Sequence, residues 1–95
     1  MADVKINVPP PGGNITLNVG DNLTIHAAQA CNFCCTIGNN FSPSIASISL
    51  SQGDNGPYKA ESTGSGTYNT SDTGTDCSAT SPSPILTAKS VQINP

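Results

Sequence analysis

Ile15-Thr16-Leu17-Asn18-Val19-Gly20-Asp21-Asn22-Leu23-Thr24-Ile25-His26-Ala27-Ala28 is the stretch that decides the fold class of this chain. Ile15, Leu17 and Val19 alternate with Thr16 and Asn18, the two-residue period of a strand with one face buried. Gly20-Asp21-Asn22 breaks the run with turn chemistry, and Leu23, Ile25 and Ala27 resume the alternation against Thr24, His26 and Ala28. The pattern predicts a turn-linked pair of strands. His26 falls on the polar side, so its side chain is expected to point away from the core, exposed and without a role.

The same period recurs on both sides. Val4, Ile6 and Val8 alternate with Lys5 and Asn7 until Pro9-Pro10-Pro11-Gly12-Gly13 ends the run. Residues 29–44 carry no clean period and are expected to form a loop or irregular crossover. Ile45 to Leu50 is strand-like, Gln52-Gly53-Asp54-Asn55-Gly56-Pro57 reads as a dense turn, and Tyr58 to Ser62 and Thr67 to Thr70 read as weaker strands around Thr63-Gly64-Ser65-Gly66. A polar loop from Ser71 to Asp76 leads to Cys77. Ser81-Pro82-Ser83-Pro84 then precedes a final run from Ile85 to Asn94.

Seven to eight short strands with frequent Gly, Pro and Asn punctuation, and no helical period, predict an all-β fold, a two-sheet antiparallel Greek-key sandwich in preference to a small barrel. With 95 residues the chain is expected to form one such domain, spanning 1–95. Its core is expected to comprise Val4, Ile6, Val8, Ile15, Leu17, Val19, Leu23, Ile25, Ile48, Leu50, Val91 and Ile93, with Phe33, Phe41, Tyr58 and Tyr68 at the ends.

Composition excludes several partners. Charged residues are only 9% of the chain, Arg is absent, and the net charge is -3. Three lysines cannot neutralise a run of phosphates, so nucleic acid is not an expected partner. They also give no basic patch for anionic lipid, and no stretch approaches the roughly 18 apolar residues that span a bilayer, so no membrane insertion is expected. Solubility falls to 22 Ser and Thr and ten Asn. Met1-Ala2-Asp3 leads straight into a strand-like run, so the start is read as a mature or engineered one.

Cys31-Asn32-Phe33-Cys34-Cys35, with Cys77 far downstream, is the most unusual feature. Four cysteines in so short a chain point to an oxidising, extracytoplasmic setting: secreted, periplasmic or cell-surface. Joining adjacent Cys34 and Cys35 would force a strained ring, so one short internal bridge and one long bridge to Cys77 are expected, with either Cys34 or Cys35 as the partner of Cys77. The alternative use of the thiols is a soft-metal site for Cu(I) or Zn(II).

The run Ile15 to Ile25, with its Gly20-Asp21 turn, resembles the strand, turn and strand near the start of cupredoxins. Gly66-Thr67-Tyr68 ahead of Cys77, a Pro-containing loop and a closing Ser90-Val91-Gln92-Ile93 resemble the end of that family. The resemblance implies a cupredoxin-like sandwich, with an immunoglobulin-like one as the other arrangement. It puts Cys77 at the copper-cysteine position and Cys34 or Cys35 near the first histidine ligand. The implied alternative is a copper or redox module using Cys34, Cys35 and Cys77, helped by His26 or Cys31. No His or Met follows Cys77, His26 is the only His and Met1 the only Met, so the two-His, one-Cys blue-copper set cannot be assembled.

Other motifs read as ordinary surface chemistry. Asp72-Thr73-Gly74 matches the aspartic-protease triplet but lacks the apolar flanks that would bury two carboxylates together. Asp72 with Asp76, or Asp54 with Asn55, offers at most a weak Ca²⁺ site. Asn14, Asn22, Asn40 and Asn69 head N-glycosylation acceptors. No nucleophile motif is present, and the single His would have to serve any triad. The chain is therefore expected to be a non-enzymatic module without a cofactor, with a structural, adhesive, self-assembling or protein-binding role. Its partner would be a protein or surface, including self-association by strand addition at Val4 to Val8 or Val91 to Ile93.

Overall fold

The alternation seen in the sequence becomes two stacked sheets. The computed structural model describes residues 2–75, 77 and 88–95. Asp3–Val8 forms β1, Ile15–Asn18 β2, Asn22–Ala27 β3 and Cys31–Cys35 β4. A single 3₁₀ turn at Gly38–Asn40 leads into the two-residue β5, Phe41–Ser42. Ser47–Leu50 is β6, Gly53–Ala60 β7, Gly64–Asp72 β8 and Lys89–Asn94 β9. One sheet has the order β1-β3-β7-β5 and the other β2-β9-β8-β4-β6. Asp76 and the expected start of the last strand at Ile85 to Thr87 lie outside the described residues.

The sheets are mixed rather than purely antiparallel. β1 runs parallel to β3 and β2 parallel to β9, while the remaining pairs are antiparallel. This corrects the expected turn-linked pair, because β2 and β3 belong to different sheets. Gly20, at φ 99°, starts an arch between them instead of a hairpin. Asp21 fixes that arch. Its carboxylate is buried and accepts from the Ala2 N–H at 2.8 Å and the Asn18 N–H at 2.9 Å. Both bonds hold the carboxyl below its ordinary pKa, the Ala2 bond most. Val19 is spent on the arch and stands 42% exposed, not in the core as expected.

Inside the sandwich, Leu23, Ile25 and Ala27 of β3 face Phe33 of β4, Tyr68 of β8 and Val91 and Ile93 of β9 across one continuous cluster. The Phe33 and Tyr68 rings stack with centroids 5.3 Å apart. The Tyr68 hydroxyl donates to the Gly13 carbonyl at 2.6 Å and so ties the Pro-rich β1–β2 connection to the core. Ile48 and Tyr58 are only half-buried and flank the cluster, while Ile45, ahead of β6, is buried.

Two further expectations change. The loop placed over residues 29–44 contains β4, which lies between β8 and β6. The dense turn at residues 52–57 is largely β7: Gly53 and Gly56 adopt positive φ and absorb a register shift where β7 meets Leu23 and Ile25 of β3. The turn itself is short. Asn55 organises it, donating to the carbonyls of Ser51, Gly53 and Ile25 and accepting from the Ser51 N–H.

The outer faces differ in charge. Asp3, Lys5, Asp54 and Lys59 all stand on the outside of the four-stranded sheet. The outside of the five-stranded sheet presents Thr16 and Asn18 of β2, Ser65 and Thr67 of β8, and Gln92 and Asn94 of β9, hydroxyls and amides without charge. β1 is a sheet edge, but β9 is flanked by β2 and β8, which removes Val91 to Ile93 as a place for strand addition.

Candidate functional site at the cysteine strand

β4 sorts its cysteines by the parity of a strand. Cys31, Phe33 and Cys35 turn inward and are buried, and Asn32 and Cys34 turn outward. Cys34 is disulfide-bonded to Cys77, with an S–S distance of 2.03 Å and Cα atoms 5.9 Å apart. Cys31 and Cys35 are free thiols. The expected short internal bridge therefore does not form. Cys31 and Cys34 face opposite sides of the sheet, and Cys31 and Cys35 stand four residues apart on one extended strand, roughly 13 Å, well beyond disulfide reach. Of the two partners left open for Cys77, the sandwich uses Cys34.

The free thiols behave as core residues. Burial pushes the Cys35 thiol up to about 11 and raises that of Cys31, where the Asp72 carboxylate opposite adds to the effect. Both remain protonated near neutral pH and serve as small apolar side chains. A closed disulfide on one face and two protonated thiols on the other supply no thiolate.

His26 lies in the other sheet, on its outer face. Its ring Nδ1 is 2.7 Å from an Asp54 carboxylate oxygen, and Lys5 Nζ approaches the second oxygen at 3.1 Å. The expectation of an exposed His26 holds, but the ring is partnered: His26 and Asp54 are cross-strand neighbours. The His26 bond most, and then the Lys5 bond, draw Asp54 below its ordinary pKa. The sequence carries no signal for this group, because the residues around Asp54 read as a turn.

The residues do not fit a copper centre. Cys34 and Cys77 are bonded to each other, Cys35 points into the core, and His26 stands on the opposite sheet. Among the described residues, no group of three or more His, Cys, Asp or Glu is placed to share a metal ion. The Asp54 carboxylate is engaged by His26 and Lys5, and the Asn55 amide by its turn. Asp72 heads a polar turn in which its carbonyl accepts from the Thr75 N–H, and Asn32 donates to the carbonyls of Asp72 and Thr75.

The four acceptor asparagines are placed differently. Asn14 is exposed and accepts from the Ser90 N–H. Asn22 donates to Asp3, and Asn40 donates to the Thr63 carbonyl at 3.0 Å. Asn69 is buried. No helix among the described residues is long and apolar enough to cross a membrane.

No family model matches the sequence, and no curated protein matches it at a significant level. Solved structures do match the fold. Two are oxidised amicyanin variants, with methionine replaced by leucine and by lysine, and the third is a copper(I) form of a methionine-to-alanine variant. Each superimposes with a TM-score of 0.59 over 96% of this chain and 81% of the other, at 11–12% identity. Amicyanin is a cupredoxin, and the chain described here has a cupredoxin-like β-sandwich fold. The coarse resemblance read from Ile15 to Ile25 and Gly66 to Ile93 is thereby upheld at the level of fold.

Proposed function

We propose that this chain is a non-catalytic, extracytoplasmic binding module that keeps a cupredoxin-like scaffold but replaces the metal with a covalent link. The observation that carries the reading is the Cys34–Cys77 bond. The resemblance assigns Cys77 to the copper-cysteine position and puts Cys34 or Cys35 near the first histidine ligand, and here the Cys34 and Cys77 sulfurs hold each other. A disulfide spanning 43 residues stabilises the folded state by about 4 kcal/mol through loop-closure entropy. That contribution fits an oxidising compartment.

What remains for function is surface. The exposed, uncharged outer face of β2, β9 and the first half of β8, and the open edge of β1, are suited to contact with a protein or another surface rather than to chemistry. The direct test is copper titration of the unreduced protein, followed by native mass spectrometry. The reading requires no stoichiometric uptake and a covalent mass two hydrogens below that of the fully reduced chain. One tightly held copper per chain would overturn it. So would the absence of any protein or surface ligand in a chain that also stays monomeric at millimolar concentration.

A further inference from the structure

The edge of β1 has a parity of its own. Ala2, just ahead of β1, and Val8 accept from the N–H groups of Asn22 and of Ala28, just past β3, so the even-numbered positions along this run turn their backbone groups to β3. Backbone groups alternate sides along a strand, which leaves those of Asp3, Lys5 and Asn7 facing the free edge. Gly12 closes one end of that edge, because a Cβ built on it would meet the Asn7 carbonyl oxygen at 2.2 Å. The open stretch is therefore Asp3 to Lys5. β1 is also the longest edge strand, six residues against four in β2, four in β6 and two in β5.

We propose that this open stretch pairs antiparallel with the same stretch of a second copy, with Asp3 opposite the partner's Lys5 and Lys5 opposite the partner's Asp3. Two independent features select that register. Shifting the pairing by two residues would set Lys5 against the partner's Lys5, a like-charge pair, and would require the backbone of Asn7, which Gly12 covers. In the proposed register the opposite charges meet twice on the outer face, and Val4 meets the partner's Val4 on the inner one. A two-fold axis through Val4 relates the copies, and the two four-stranded sheets become one sheet of eight strands. So short an interface gives a weak, concentration-dependent dimer. The inference rests on the reading of the chain as a binding module and names a second copy as its partner.

Sedimentation of the full chain at rising concentration, with D3K and K5D measured alone and mixed, tests it. The native chain should dimerise. Each single variant should weaken self-association roughly tenfold or more, because like charges then face each other twice. The equimolar mixture should recover a heterodimer. Amide exchange at high concentration should protect the Asp3 and Lys5 N–H groups, a readout that survives if K5D loses stability beside Asp54. Native dimerisation that is indifferent to the variants, or a mixture that stays monomeric, overturns this register and leaves the module reading standing. A native chain that stays monomeric but binds another protein through β1 overturns self-pairing alone. Absence of any partner overturns both.

Discussion

Cys34 and Cys35 are consecutive in β4, and their sulfurs lie on opposite sides of the sheet: one is joined to Cys77, the other is a free thiol in the core beneath. The same strand thus carries a cross-link and a packing residue one position apart.

Thiol counting should reflect this division. Unreduced native protein should resist alkylation at neutral pH, because Cys31 and Cys35 are buried and Cys35 is pushed up to about 11. In denaturant without reductant, two thiols should react, and four after reduction. Mass spectrometry reporting none or four before reduction would contradict the pairing.

Removing the bridge and removing a thiol should differ in size. Cys34→Ser should lower unfolding free energy by up to about 4 kcal/mol, and Cys34→Ser/Cys77→Ser should cost little more than the single change, since the first already opens the loop. Cys35→Ser should cost about 1–3 kcal/mol for a hydroxyl buried in an apolar setting. Urea denaturation of the three variants separates these values.

The Asp21 arch should appear as an acid sensitivity. A carboxyl whose folded pKa is depressed contributes stability that is present above its unfolded pKa of about 3.9 and is lost as pH falls through the lower folded value. Stability should therefore fall below about pH 4, and Asp21→Asn should flatten that decline while lowering stability at neutral pH. A D21N profile parallel to that of the native chain would exclude Asp21 as the source.

Tyr68→Phe keeps the stack on Phe33 and removes the hydroxyl that donates to the Gly13 carbonyl and accepts from the Gly13 N–H. The expected cost is about 0.5–1.5 kcal/mol. Faster amide exchange in residues 12–14 would locate it, and unchanged exchange there would count against an anchoring role.

The strands that pack on one face only were legible in the sequence, because period-two alternation is set by burial alone. β1 and β3 follow it residue by residue. The arch at Gly20-Asp21 reads in the sequence as a hairpin, because the local turn chemistry of the two is the same. The difference is made by Asp21 reaching Ala2, 19 positions away. β7 was hidden by turn-forming residues whose positive-φ glycines accommodate the shift in its pairing with β3. In β4 the cysteines drew attention as a cluster, yet Cys31, Phe33 and Cys35 already alternate with Asn32 and Cys34. As ordinary apolar residues, Cys31 and Cys35 mark the strand, and a strand excludes the short bridge. The Asp54, His26 and Lys5 group needed the registers of three strands and had no signal in the spacing.

The position of β9 has a bearing on synthesis. It lies between β2 and β8, so β2, made near the beginning of the chain, has no hydrogen-bonded neighbour until Lys89–Asn94 has been made. Until then a nascent chain holds Ile15 and Leu17 on a strand whose backbone has no ladder partner. The five-stranded sheet is complete only once β9 has been made, and a fragment ending before Lys89 is expected to be captured by chaperones or proteases.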